Sequence, residues 1–158
     1  MPKDRTDKDL TAIFDTIEYP VAYRITYLAN TIVFPAYEAI KRDFGLVRAE
    51  YVLLACLSHF DALTAQDIAN ISRRPRNTIS RAVHRMLADG HIARTPDPHD
   101  GRQSMLRITS SGRQLHDKIA MYLKDRQNKV FATLTPQERH TLSELLKKAA
   151  LNAALLES

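Results

Sequence analysis

A mainly α-helical fold carrying one small β-hairpin is what this chain of 158 residues predicts, on three observations. Apolar residues recur every three or four positions along most of its length, the period of a helix packed on one face. Leucine, alanine, lysine and arginine are plentiful while glycines number only four, so helix is rarely interrupted. Two short, partly alternating runs at 92–95 and 104–109 flank Pro96-Asp97-Pro98-His99-Asp100-Gly101-Arg102, whose turn formers read as the link of a hairpin.

The elements follow in order. Residues 1–18 are mostly charged and polar and are expected to form a loose arm or a short helix. From Pro20, Val21, Ile25, Leu28, Ile32, Ala36 and Ile40 form one helical stripe, widened by Ala29, Val33, Tyr37 and Phe44. Pro35 lies inside that stripe and predicts a kink, and Gly45 ends the helix. A second helix is expected from Val47 to Phe60, burying Tyr51, Leu54, Ala55 and Leu57. Thr64-Ala65-Gln66-Asp67 is a capping signal for a short third helix that stops near Ser72. Pro75 occupies a first-turn position of a fourth, running to about Asp89 and closed by Gly90. After the hairpin, Thr109 or Ser110 caps a long helix with Leu115, Ile119, Tyr122, Leu123 and Val130 in its stripe. Thr135-Pro136-Gln137-Glu138 opens the last helix, with Leu142, Leu145, Leu146, Ala149, Ala153 and Leu156 on one face.

Composition narrows the function classes. Hydrophobic residues make up 44%, enough for the core of one domain or of a small domain with an extension. The net charge of +5 and a pI near 9.5 suggest an anionic partner. No apolar run approaches the roughly 20 residues of a membrane span. The opening MPKDRTDKDL has no signal-peptide core, so a cytoplasmic location is expected. Cys56 is the single cysteine, which excludes an intrachain disulfide and a thiolate metal cluster. The six histidines show no close ligand pair, and there is no phosphate loop or nucleophile elbow. Neither a metal, a cofactor nor an enzymatic activity is therefore expected.

The charge is concentrated. Nine arginines and three acids lie between Arg73 and Arg113, so that this stretch carries 9 − 3 = +6. On the fourth helix Ile79, Val83, Met86 and Leu87 share one face, while Arg76, Asn77, Ser80, Arg81 and His84 fall largely on the other. Arginine can fork onto guanine, asparagine onto adenine, and Ser80 or Thr78 can bond a base or a phosphate. Arg74 and Arg85 flank that face and suit phosphate contacts that set register. At the hairpin tip, Asp97 and Asp100 can hold Arg102 extended toward a minor groove, with His99 beside it. These patterns predict a double-stranded DNA partner.

Residues 64–112 resemble the winged helix-turn-helix of the multiple-antibiotic-resistance regulator (MarR) family of bacterial transcription factors. The likeness is carried by TAQDIANISRRPRNTISRAVHRMLADGHIART, DPHDGR and LRITSSG. Asp97, Asp100 and Arg102 match the family's wing signature, although many members carry a further basic residue where this chain has His99 or Gly101. The resemblance implies a winged helix-turn-helix at 46–112, flanked by dimerisation helices at 19–45 and 113–158 and preceded by an arm at 1–18. It further implies a homodimer on a pseudo-palindromic operator, and a repressor released by a small aromatic or phenolic carboxylate. Tyr23, Arg24, Tyr27, Tyr51 and His59 are the candidate effector contacts. A ligand-independent or activating regulator of the same fold is the first alternative, and a basic protein- or membrane-interaction module the second. An RNA-binding module would lack the usual aromatic stacking platform.

Overall fold

The computed structural model describes residues 10–101 and 104–156. Half of the expected arm, residues 1–9, therefore lies outside the described residues. Its end forms a 3₁₀ turn at Leu10–Ala12 and a single helical turn, α1 (Ile13–Thr16). Two compact units divide the chain, Met1–His116 and Asp117–Ser158.

Helix α2 (Pro20–Leu28) starts with proline in its first turn, where no N–H is missed. The expected kink at Pro35 takes a particular form. A π-helical turn spans Ala29–Val33, and regular helix resumes as α3 (Phe34–Phe44). The Phe34 N–H reaches back five residues to the Ala29 carbonyl. Widening the helix just ahead of Pro35 accommodates the donor that proline lacks. Gly45 then ends α3 in the left-handed conformation (φ 71°).

Helices α4 (Arg48–His59), α5 (Ala65–Ser72) and α6 (Arg76–Ala88) follow, with α4 and α6 each starting one residue later than expected, because Val47 and Pro75 are N-caps rather than first-turn residues. Their buried faces supply Leu53, Leu54, Leu57, Ile68, Ile79, Val83 and Met86, joined by Ile40 of α3. Each such side chain contributes about 1.5–3 kcal/mol by leaving water, so this cluster dominates the stability of the first unit. Thr64 and Asp67 form the reciprocal capping box at α5: the Asp67 N–H donates to Thr64 Oγ1 (3.1 Å) and the Thr64 N–H to Asp67 Oδ2 (2.8 Å).

The turn between α5 and α6 is closed by Arg74 N–H to the Ala69 carbonyl (3.2 Å) and Arg73 N–H to the Asn70 carbonyl (3.4 Å). This is a Schellman arrangement with Arg73, rather than glycine, in the left-handed position (φ 54°). Helix α6 ends in the same way at Gly90 (φ 74°), with His91 N–H bonded to the Met86 carbonyl.

Strands β1 (Ile92–Pro96) and β2 (Ser104–Ile108) pair antiparallel, from Ile92 opposite Ile108 to Pro96 opposite Ser104. Leu63 forms an isolated bridge with Leu106 through both backbone bonds (3.1 and 2.8 Å). The hairpin is thereby tied to the chain just before α5. Helix α7 (Ser110–Val130) is capped by Thr109, whose Oγ1 accepts the Gly112 N–H and donates to the Gly90 carbonyl. Helix α8 (Pro136–Leu156) opens with the expected box between Thr135 and Glu138, but none of its residues is buried within the monomer.

Candidate nucleic-acid interface

The sequence-predicted division of α6 into two faces is present. Ile79, Ala82, Val83 and Met86 are buried against the unit, while Arg76, Asn77, Ser80, Arg81 and His84 are exposed and Thr78 is partly so. The exposed residues recur at helical spacing and therefore share one side. Pro75 is the N-cap and accepts the Thr78 and Ile79 N–H groups through its carbonyl, which starts the helix with Arg76 and Asn77 in its first turn. Arg74 is half-buried beside them.

Between the start of α5, helix α6 and the hairpin lies an open cleft of about 570 Å³, whose polar lining includes Gln66, Arg76, Arg94 and Ser104. Arg94 was not among the expected contacts. Its sequence signal was an arginine of the basic stretch within a hairpin strand; it is exposed, as is every residue of β1 after Ile92. The cleft thus connects the outer face of α6 with the hairpin, and both sides bring a guanidinium.

At the hairpin tip, Asp97 Oδ1 accepts the His99 N–H at 2.8 Å, an Asx turn that shapes the loop. Asp97 and Asp100 are half-buried and His99 is exposed. Arg102, the expected minor-groove residue, lies outside the described residues.

Other arginines of the basic stretch are turned onto their own domain. Arg107 donates to the Asp61 carbonyl (3.1 Å) and Arg113 to the Ser58 carbonyl (3.4 Å). Arg85 faces Glu50 (3.3 Å) and donates to the Gly45 carbonyl (3.1 Å), with Asp89 3.8 Å away. That internal engagement counts against its expected use as a phosphate contact. Glu50, only 2% exposed, was missed by sequence reasoning. Its sequence signal was an acid at the third position of α4, where it accepts the Val47 N–H at 2.8 Å; valine offers no side-chain acceptor in return.

The candidate effector residues fall into two clusters. Tyr23 and Tyr27 pack on Phe14 (ring centroids 5.9 and 4.9 Å), and Arg24 pairs with Asp15 at 3.0 Å while donating to the Phe14 carbonyl. These three hold the N-terminal turn onto α2. Tyr51 stacks on His116 (6.1 Å, 5° between planes) and meets Tyr37 at 6.4 Å. Burial, and then the nearby Tyr37, push the Tyr51 phenol above its ordinary pKa. The Arg48 guanidinium lies 4.8 Å over the Tyr37 ring. His59 Nδ1 and His116 Nε2 both meet Ser58 Oγ, at 2.9 and 3.2 Å.

Residues 44–103, from the end of α3 to the hairpin tip, match the family model described as MarR family. The HTH-type transcriptional regulator YxaD of Bacillus subtilis is 28% identical over 143 residues, covering 90% of this chain and 95% of that protein. The transcriptional activatory protein BadR of Rhodopseudomonas palustris is 26% identical over 130 residues, covering 79% and 74%. Among solved structures, a MarR-family transcriptional regulator from Silicibacter pomeroyi aligns with a TM-score of 0.72 and 26% identity, over 92% of this chain and 96% of that one. A mutant MarR from E. coli complexed with operator DNA aligns with a TM-score of 0.69 and 20% identity, over 90% and 99%. The segment from the end of α3 to the hairpin thus matches the MarR family model, and along most of its length the chain is similar to HTH-type and MarR-family transcriptional regulators.

Proposed function

We propose that this protein is a homodimeric, sequence-specific DNA-binding regulator in which α6 enters the major groove and the hairpin grips beside it. The observation that carries this reading is the outer face of α6. Its arginines, asparagine and serine stand free of the core while the opposite face is locked into it. Arg76, Asn77, Ser80 and Arg81 are assigned to base edges, and Arg74, Thr78 and the cleft arginine Arg94 to phosphates. His99 and Arg102 are assigned to the wing contact, with Asp97 and Asp100 as its support. The E. coli relative solved with operator DNA supports the same use of this fold.

Dimerisation is supported by apolar surface that each unit leaves in water. Val21 and Ile25 of α2 are 67% and 47% exposed, and Leu151 and Leu155 of α8 are 63% and 72% exposed. Stripes of this kind need a covering partner. Helices at 19–45 and 113–158 would provide it, and two-fold pairing would set the α6 helices about 10–10.5 base pairs apart or a multiple. Repression needs only occupancy of the operator, whereas activation needs a further surface for the transcription machinery; BadR is nevertheless named an activator.

The effector reading centres on Tyr51 and His59 rather than on Tyr23, Arg24 and Tyr27, whose rings and charge are engaged by Phe14 and Asp15. A small aromatic carboxylate could stack against the Tyr37–Tyr51–His116 group and pair with Arg48. A difference of about 1–3 kcal/mol between two dimer geometries would change operator affinity five- to 150-fold.

Binding selection from genomic fragments, repeated with a panel of aromatic acids, tests these statements together. One enriched, inverted-repeat duplex whose binding weakens with a panel member is the expected result. Equal binding to every duplex, or tighter binding to anionic vesicles than to any duplex, would replace the proposal with a basic interaction module. A selected operator unaffected by the whole panel would remove the effector.

A further inference from the structure

Glu50 is an acid buried at a junction of three helices, where among the described residues it meets the Val47 N–H at the start of α4 and Arg85 of α6. One carboxylate oxygen, Oε2, accepts the Val47 N–H and so completes the N-terminus of α4. The other, Oε1, lies 3.3 Å from Arg85 Nη1. Arg85 Nη2 in turn donates to the carbonyl of Gly45, the residue that ends α3. Negative charge thus meets the positive end of α4, and positive charge meets the negative end of α3. The planar guanidinium spans both because its donors are fixed in a fork; an ammonium at the same place would offer one point of attachment.

We propose that Arg85 is a positioning residue for DNA reading: through Glu50 and the Gly45 carbonyl it sets the rotation of α6 about its own axis, and with it the aim of Arg76, Asn77 and Arg81. This rests on the reading of α6 as the groove helix and adds the device that orients it. Arg85 sits one residue beyond exposed His84, on the flank where the reading face meets the buried face. A rotation there moves all base-contacting side chains together. Non-specific phosphate binding, which depends on total charge, is far less sensitive to such a rotation.

The test compares wild type, Arg85→Lys, Arg85→Met, Glu50→Gln and the Arg85→Lys/Glu50→Gln double variant on the duplex recovered by genomic selection and on a scrambled duplex of equal length, across a salt series. Arg85→Lys keeps the charge, and Glu50→Gln is nearly isosteric; circular dichroism melts confirm that each is folded. Each single variant is expected to weaken operator binding about tenfold, with the scrambled duplex within about twofold of wild type. The double variant should be no worse than the weaker single one, since both changes break one linkage. The log–log salt slope should stay at the wild-type value, because no phosphate contact is lost.

The proposal is overturned if Arg85→Lys binds both duplexes as wild type does and Glu50→Gln leaves their ratio unchanged. It is also overturned if Arg85→Met weakens both duplexes equally and lowers the slope by about 0.9, the signature of one lost phosphate contact. Wild-type protein that prefers neither duplex would instead sink the DNA reading itself.

Discussion

Replacing Gly112 by alanine separates the packing of this fold from its helix propensities, because the two predict opposite signs. Gly112 lies in the first turn of α7, where alanine should favour helix over glycine by about 0.8–1.0 kcal/mol. A Cβ built at that position, however, overlaps the His91 carbonyl oxygen, with the His91 carbonyl carbon at 2.9 Å and Ile108 Cγ1 at 3.0 Å. The carbonyl is not free to retreat. It accepts the Thr109 N–H at 3.1 Å, and Thr109 Oγ1 donates to the Gly90 carbonyl at 2.7 Å while accepting the Gly112 N–H at 3.1 Å. Overpacking against such a joint costs about 1–3 kcal/mol, and one lost hydrogen bond adds about 0.5–1.5 kcal/mol. After the propensity gain, a net loss of about 1–3 kcal/mol remains. At about 2–4 °C per kcal/mol for a chain of this size, Tm should fall by roughly 2–12 °C. The assay is thermal unfolding followed by circular dichroism at matched protein concentration, since Tm of a dimer depends on it. Gly101→Ala, where a Cβ meets nothing within 4 Å, is the control and should move little. A Gly112→Ala variant that melts at or above the wild-type temperature would show that α7 does not approach β1 in this way.

Other outcomes follow from the same structure. Asn77→Ala or Arg81→Ala should cost about 1–3 kcal/mol per lost base contact and relax preference at one or two positions of a randomised site; unchanged selectivity would take that residue off the reading face. Hydrogen bonds from the backbone and then the hydroxyl of Thr135 hold the Glu138 carboxyl below its ordinary pKa. A lowered folded value means that its capping contribution is complete above the unfolded carboxylate pKa of about 4.3 and is lost as pH falls through the folded value. Carboxyl NMR should therefore show Glu138 titrating below the unfolded carboxylate value, and a midpoint at or above that value would contradict the box. Burial pushes the Cys56 thiol up, so iodoacetamide at neutral pH should modify native protein much more slowly than urea-unfolded protein. Equal rates would place the thiol in open solvent.

Local pattern alone carried most of the architecture. The spacing of Ile79, Val83 and Met86 identifies the inner face of α6, and thereby the outer one, because a helix of known period has no other way to bury them. Thr64, Thr135 and Gly90 mark element ends through bonds that span a few residues, so their chemistry is visible in a short window of sequence. The turn formers between Thr95 and Ser104 identify the hairpin for the same reason. What sequence could not assign were partners distant along the chain. Arg107 and Arg113 look like any other arginine of the basic stretch, and Arg85 like a flanking phosphate contact, until the fold brings Asp61, Ser58 and Glu50 beside them. Leu63 becomes a strand partner only because Leu106 arrives next to it. The tyrosines of α2 likewise found Phe14, not one another's neighbours in α4.

Residue order by itself therefore determined that this protein is helical, that it carries a winged helix-turn-helix with a basic outward helix, and, to within about a residue, where each helix begins. Tertiary structure alone decided which of the exposed arginines are also bonded to the protein's own carbonyls and its buried carboxylate. The division has a physical cause: periodicity and capping act over one or two turns of chain, whereas a charge is assigned by whatever lies within a few ångströms of it in space.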